Sequence, residues 1–377
     1  MKKVKIVHTA DLHFDTPFKE VGETQSKINK EELKEVFTKI IHFCKEKAVD
    51  ILLLAGDIFD NFTLSRETLY FIEQSLKELN KTRVFISPGN HDPYGSKSFY
   101  KLINWPDNVH IFKGELEKIY VESLDINVWG AGFTEKYIKE SILKDFSAPS
   151  NKINLMVLHG EIASSISGNE YNPITISDIR NSGMDYIALG HRHNFSGIKK
   201  EGQTFYAYSG CPQGRGFDEL YDKGIIYGDI SKGTVDLEFV KMSKRNYLEE
   251  HIDISNAFGY EEVRRIVIDS ISESERKHNL YKVVLEGEIS PDFSIDEELL
   301  KERLGLDFYY CKVVDKTRVK YDIEEITKGY SVKSLFVKKI MKMINETEDE
   351  EEKELLMMSL KIGLSSLSEG QVNMNDY

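Results

Sequence analysis

Cysteine is scarce in this chain: Cys44, Cys211 and Cys311 are the only three among 377 residues. They are single, distant and odd in number, which excludes a disulfide framework and a cysteine-rich zinc site and points to a reducing, cytoplasmic setting. No apolar run approaches the length of a membrane span, so no membrane association is expected. The first residues, Met1-Lys2-Lys3-Val4-Lys5, lack the apolar stretch and cleavage site of a signal peptide. Positive charge is also short: 50 Lys and Arg face 63 Asp and Glu, a formal net charge of −13. That deficit opposes unaided binding to a phosphate backbone. Part of it is local, in the acidic run at 346–352, and metal-binding carboxylates count as negative until an ion is held. Internal repeats and low-complexity linkers are absent as well.

What is present is a globular balance, with 40% hydrophobic and 30% charged residues. The length suits a large domain plus a smaller one. Up to residue 242, apolar strand-like runs alternate with two helical segments. Residues 31–47 carry Leu33, Val36, Phe37, Ile40 and Ile41 on one side; residues 63–79 carry Leu69, Ile72, Leu76 and Leu79. Strand-like segments then accumulate at 109–112, 118–121, 126–129, 205–208, 225–230 and 235–240. This mixture predicts an α/β fold, a two-sheet α-β-β-α sandwich rather than one doubly wound sheet. Residues 243–330 read as a small α/β domain of βαβαβ pattern, with strands at 251–254, 281–285 and 308–314 and helices at 260–272 and 296–304. Residues 331–377 read as a helical tail with two apolar patterns, one through Val332, Leu335, Phe336, Ile340, Met343 and Ile344, the other through Leu355, Leu356, Leu360 and Leu364. Five of the nine methionines, Met341, Met343, Met357, Met358 and Met374, fall here. Thioether side chains suit an adaptable interface, and packing on the preceding domain explains the same pattern equally well.

The chemistry lies in five short blocks, each following an apolar run: Asp11-Leu12-His13, Gly56-Asp57, Gly89-Asn90-His91-Asp92, His159-Gly160 and Gly190-His191-Arg192-His193. Ligand-type residues at the carboxyl ends of several strands are how an α/β fold builds a metal site. In an extended segment residues two apart point the same way, so Asp11 and His13 are expected side by side, as are His191 and His193. Glycine beside Asp57, Asn90, His159 and His191 is expected to supply sharp turns. Asp57, with two carboxylate oxygens, is the natural bridge between two cations. Mixed imidazole, carboxylate and amide donors suit manganese, iron or zinc and are too nitrogen-rich for calcium. Two such ions about 4 Å apart polarise a phosphoryl group and activate water. His91 is better placed as a proton donor than as a ligand, with Asp60 as the carboxylate that orients it.

In this order the blocks, written Asp-x-His, Gly-Asp-x-x-Asp, Gly-Asn-His-Asp, His-Gly and Gly-His-x-His, resemble the calcineurin-like metallophosphoesterases across residues 6–193. The resemblance implies that Asp11, His13, Asp57 and His193 hold one metal ion, that Asp57, Asn90, His159 and His191 hold the second, and that His91 is the catalytic acid. Within that superfamily the chain looks most like DNA-repair exonucleases of the SbcD type and their short bacterial relatives. This likeness extends to Tyr208-Ser209-Gly210-Cys211-Pro212-Gln213-Gly214-Arg215 and to the order of domains, the small one acting as a cap. It implies manganese-dependent cleavage of DNA beside a coiled-coil, SMC-like ATPase that would dock on the C-terminal helices, with a homodimer as a further option. The chain departs from relatives that carry a second histidine where Asp60 stands.

Two other readings stay open. One is a phosphoesterase for nucleotides or other small phosphodiesters; its phosphoprotein version is disfavoured because Asn61 stands where those phosphatases carry arginine. The other is a non-catalytic scaffold for the ATPase, which would have no chemical need of His91. Arg192, Arg215, Lys199 and Lys200 are as consistent with surface cations as with phosphate contacts and are left out of the site. His8, His42, His110, His251 and His278 receive no role beyond packing or solvation.

Overall fold

The computed structural model describes residues 2–18, 20–60, 64–149, 151–163, 169–255, 257–290 and 293–369. The chain forms two compact units, Met1–Leu248 and Glu249–Tyr377.

The first unit runs β1 (Val4–Thr9), α1 (Glu23–Glu46), β2 (Ile51–Leu54), α2 (Arg66–Lys77), β3 (Arg83–Ile86), β4 (Val109–Ile111), β5 (Glu117–Val121), β6 (Ile126–Gly130), β7 (Ile153–His159), α3 (Ile176–Asn181), β8 (Tyr186–Gly190), β9 (Lys199–Glu201), β10 (Thr204–Tyr208), β11 (Gly224–Ser231) and β12 (Thr234–Lys241). These strands make two six-stranded sheets, ordered β12-β11-β1-β2-β3-β4 and β5-β6-β7-β8-β10-β9. In the first, β1 to β4 are parallel, and β11 and β12 close one edge antiparallel. In the second, β6, β7, β8 and β10 are parallel between antiparallel β5 and β9.

Side chains alternate along a strand, and the two faces of β1 feed different cores. Val4 and Ile6 meet Ile126, Val128, Leu155, Val157 and Ala188 between the sheets. Val7 joins Val36, Phe37 and Ile40 of α1 and Ile72 and Leu76 of α2 on the outer face. Across the molecule, Met156, Leu158, Ile187 and Leu189 are covered by Ile179 of α3 together with Leu143, Ile174 and Met184. The result is the expected four-layer α-β-β-α sandwich.

A buried histidine bridges the two sheets. His8 of β1 is fully buried; its Nε2 lies 3.2 Å from the Leu189 carbonyl oxygen and its Nδ1 lies 2.9 Å from the Tyr186 hydroxyl, both on β8. A carbonyl only accepts, so Nε2 carries the proton and Nδ1 accepts from Tyr186. His8 thereby pins the strand leading to Asp11 to the strand leading to His191.

Element ends shift where polar contacts take over from apolar periodicity. The apolar stripe predicts a helix from residue 31, yet α1 starts at Glu23, because buried Asn29 donates to the Tyr247 hydroxyl and buried Glu32 accepts from Arg245. α2 is shorter than its pattern; Ser65 caps it by accepting from Thr68 N–H, and Thr63 lies outside the described residues. α3 is too short to show a stripe, but a capping box between Thr175 and Asp178 marks its start.

The second unit takes in all but the first two residues of β13 (Tyr247–Asp253), then α4 (Tyr260–Ser270), α5 (Glu273–His278), β14 (Leu280–Glu286), β15 (Glu288–Ile289), α6 (Glu297–Leu304), β16 (Tyr310–Asp315), β17 (Arg318–Val319), α7 (Ile323–Lys328), α8 (Val332–Glu346) and α9 (Glu350–Glu369). It holds a three-stranded sheet, β13-β14-β16, and a two-stranded one, β15-β17. A helix to residue 272 is expected from the pattern; α4 ends earlier, and Ser272 instead caps α5. In the tail, Val337 of α8 buries against Leu360 and Leu364 of α9, with Tyr321, Ile323 and Ile326 packed alongside. Met374 lies outside the described residues. No helix among the described residues is long and apolar enough to cross a membrane.

Burial pushes the His8 imidazole down to about 3, against an opposing effect of its hydrogen bond to Leu189. The unfolded chain takes up this proton near pH 6.5 while the folded one refuses it, so stability present above pH 6.5 is lost as pH falls toward 3, about 2 kcal/mol of it between pH 7 and pH 5. His8→Leu should cost about 1–3 kcal/mol at pH 7 by leaving the Tyr186 and Leu189 groups unpaired, and should flatten the acid limb of stability in urea melts. An unchanged limb would place that acid sensitivity elsewhere.

Candidate metal centre

The carboxyl ends of β1, β2 and β3 in one sheet and of β7 and β8 in the other carry the five blocks. Spacing predicts Asp11 and His13 on an extended segment, but φ is 53° at Asp11 and 46° at His13, in the left-handed region. The cause is strapping to the next loop: Asp11 N–H donates to Gly56 O at 3.0 Å, and His13 N–H to Asp57 O at 2.9 Å. The two side chains nevertheless share a cluster with His193. His191, at φ 112°, turns away from that cluster. Its Nδ1 lies 3.3 Å from Asn90 Oδ1, so the two histidines of the last block serve different sides of the site.

The glycines also act differently from expectation. Of Gly56, Gly89, Gly160 and Gly190, only Gly56 has a positive φ. Gly190 and Gly89 instead allow close approach: a Cβ at Gly190 would fall 1.8 Å from Ala55 O, and one at Gly89 would fall 2.2 Å from Asp57 Oδ1. Asp92 ties the Gly-Asp and Gly-Asn-His-Asp loops together. Its carboxylate accepts from Ile58 N–H and Gly89 N–H at 2.7 Å each, from Phe59 N–H at 3.2 Å, and from the Tyr100 hydroxyl at 2.7 Å.

Three overlapping groups result: Asp11, His13 and His193; Asp11, Asp57 and His159; and His13, Asp60 and His91. The first two share Asp11, and Asp57 of the second also reaches His13 of the first. Asp57 Oδ2 is 3.6 Å from His13 Nε2 and 3.4 Å from His159 Nε2, while its Oδ1 accepts from His91 N–H at 2.9 Å. Asn90 Oδ1 is 2.9 Å from His159 Nε2. Asp11, His13, Asp57 and His159 are each at most 1% exposed.

These residues fit divalent ions on their own chemistry. His159 Nδ1 lies 2.9 Å from Ala55 O, a contact that requires the proton on Nδ1. The bare lone pair of Nε2 then faces Asn90 Oδ1 and Asp57 Oδ2, so three acceptors converge on one point. His13 is buried with neither ring nitrogen hydrogen-bonded; its Nδ1 contact with Asp60, at 3.6 Å, is electrostatic only. Unpaired buried nitrogens are costly, and a cation relieves both arrangements. Burial, followed by Arg215, pushes the His13 imidazole down to about 4, and burial followed by His159 does the same to His191, which keeps both lone pairs available at neutral pH.

His91 lies at the rim with its side chain 39% exposed, and its Nδ1 is 3.2 Å from Asp60 Oδ1. That hydrogen bond raises its pKa, with burial opposing. Sequence reasoning missed Glu161 and Glu219 and left Arg215 aside. Glu161 Oε2 lies 3.4 Å from His191 Nε2, and the same carboxylate pairs with Arg192. Glu219 Oε1 lies 2.7 Å from His193 Nδ1 and pairs with Arg215 at 2.6 Å. Burial pushes the Glu219 carboxyl up, but His193 and Arg215 outweigh it and hold it below the usual range. These acids stand in loops without periodicity, so spacing gives no sign of them; only the Arg215 end of that loop carried a motif.

The family model of calcineurin-like phosphoesterases matches residues 4–195, half of the chain and all five blocks. The chain belongs to this family. Among curated relatives, this phosphoesterase is 28% identical over 293 residues to the uncharacterized metallophosphoesterase YhaO of Bacillus subtilis, covering 74% of this chain and 71% of that one. It is 24% identical over 305 residues to the SbcD component of the SbcCD nuclease of Staphylococcus epidermidis, covering 68% and 77% respectively. Family and site together make it a metal-dependent phosphoesterase.

Adding Mn²⁺ or Zn²⁺ to metal-free protein should raise its melting temperature by several degrees, since ions at about 100 times Kd contribute about 2.7 kcal/mol. His13→Ala should shrink that rise. Melting that is indifferent to both ions in the wild type would refute a metal centre here.

Proposed function

We propose that this phosphoesterase is a manganese-dependent DNA nuclease subunit that cleaves phosphodiester bonds from duplex ends. The observation that carries the DNA reading is the likeness to the SbcD component of the SbcCD nuclease, which takes in 68% of the chain and so reaches well past the matched family core at 4–195. In this reading Asp11, His13, Asp57 and His193 hold one ion, and Asp57, Asn90, His159 and His191 hold the other. When bound, the ions supply electrostatic stabilisation of the phosphoryl charge and an activated water.

The remaining chemistry falls to His91 and Asp60. Asp60 engages His91 Nδ1 and turns the opposite nitrogen outward, where it donates a proton to the departing oxygen of the substrate. The net charge of −13 leaves DNA grip to the ions and to a partner. The partner in this reading is a coiled-coil ATPase docked on α8 and α9, which expose Val332 at 72% and Leu355 at 67%.

The deciding experiment is cleavage of an end-labelled duplex in Mn²⁺. Wild type should shorten it, and His91→Ser should bind the ions normally yet lose at least about 100-fold in rate. Full activity in His91→Ser would remove it as the acid; inert DNA alongside rapid hydrolysis of small phosphodiesters would replace the nuclease reading with the small-substrate one. The pH profile tests Asp60. Protonated His91 is the working form, so the rate falls as pH rises through its pKa, and Asp60→Asn removes the largest influence raising that pKa. In Asp60→Asn the fall should therefore move to lower pH; an unmoved limb would separate Asp60 from His91 function.

A further inference from the structure

Glu219 is 4% exposed in a loop that takes no part in the five sequence blocks, yet it meets His193 directly. Resting on the metal-centre reading above, we propose that Glu219 is a positioning residue that fixes the tautomer and ring orientation of His193, so that Nε2 is the nitrogen presented to the ion shared with Asp11 and His13. A carboxylate has no proton to give, so the 2.7 Å contact with His193 Nδ1 requires that the proton reside on Nδ1. Arg215 Nη2 also lies 2.9 Å from Nδ1. It cannot donate to a nitrogen already bearing hydrogen; Nη2 donates to Glu219 Oε1 instead and lies 3.5 Å from His193 Nε2. Nε2 thereby keeps its lone pair and is the nitrogen that His193 can offer to its cluster with Asp11 and His13.

The loop around Glu219 holds the carboxylate from several directions. Arg215 donates from Nη2 at 2.6 Å and from Nε at 3.1 Å to Oε1, and from its backbone N–H at 2.8 Å to Oε2. The Cys211 thiol lies 3.5 Å from the same Oε2. The segment also secures the main chain of His193, whose carbonyl accepts from Cys211 N–H at 3.2 Å and from Lys223 Nζ at 3.1 Å. Main chain and ring of one ligand are therefore set by residues 211–223. An arginine paired to the orienting carboxylate keeps it ionised, which makes it a stronger acceptor.

The test is calorimetric titration of the full chain with Mn²⁺ alone. Because Glu219→Ala would strand the buried Arg215 charge and risk misfolding, the informative variant is the double Glu219→Leu/Arg215→Met, with Arg215→Lys, which strands neither charge, as its control. The double variant should lose about 10- to 100-fold in affinity at one of two sites and leave the other unchanged; Arg215→Lys, which keeps a cation on the carboxylate, should lose less. With Zn²⁺, histidine nitrogen NMR should show a protonated Nδ1 for His193 in the wild type and a changed tautomer signature in the double variant. Wild-type affinity at both sites in the double variant, or an equal loss in Arg215→Lys, would overturn the role of Glu219. Failure of the wild type to bind any ion would instead sink the metal-centre reading beneath it.

Discussion

A carboxylate outside the proposed ligand set holds the centre together. Asp92 gathers backbone N–H groups from the loops after β2 and β3 and a hydroxyl from Tyr100. Asp57 and Asn90 sit on those two loops, and the backbone of His91 in turn donates to Asp57. Neighbouring acids and imidazoles repel or leave lone pairs facing one another, so the loops need an independent tie to stay in place. Asp92 supplies it with four hydrogen bonds from a buried position, where charge-assisted bonds are strongest.

Around that tie the site is organised in two layers of unequal visibility. The inner residues, from Asp11 to His193, stand in short blocks after apolar runs and are legible in the sequence, as is the four-layer sandwich that brings strand ends together. Their proximity is real, but the mechanism differs from simple strand alternation. Asp11 and His13 meet on a left-handed loop tied to Gly56 and Asp57, and Gly190 serves contact with Ala55 rather than a turn. Backbone pairing between loops far apart in sequence decides those details, and no local pattern encodes it.

The outer layer was largely invisible. His8 stands just before the first block but receives no role from it, and its value lies in reaching Tyr186 and Leu189 in the other sheet. Glu219 is a single acid in an irregular loop, and its role exists only because the fold brings it to His193. The early start of α1 has the same cause: Asn29 and Glu32 look solvent-facing until Tyr247 and Arg245 arrive from the end of the first unit. In each case a polar residue is buried by a partner many positions away, and periodicity is blind to that.

The bond from His191 N–H to the Asp11 carboxylate joins residues 180 positions apart. Contacts between positions so distant raise the contact order, which slows folding. A chain still being synthesised, with β1 to β7 made and β8 unborn, lacks both histidines of the last block and the carboxylate behind one of them. Half-built intermediates therefore carry acids and imidazoles but no complete cage. The complete cluster exists only when strand ends of both sheets are in place.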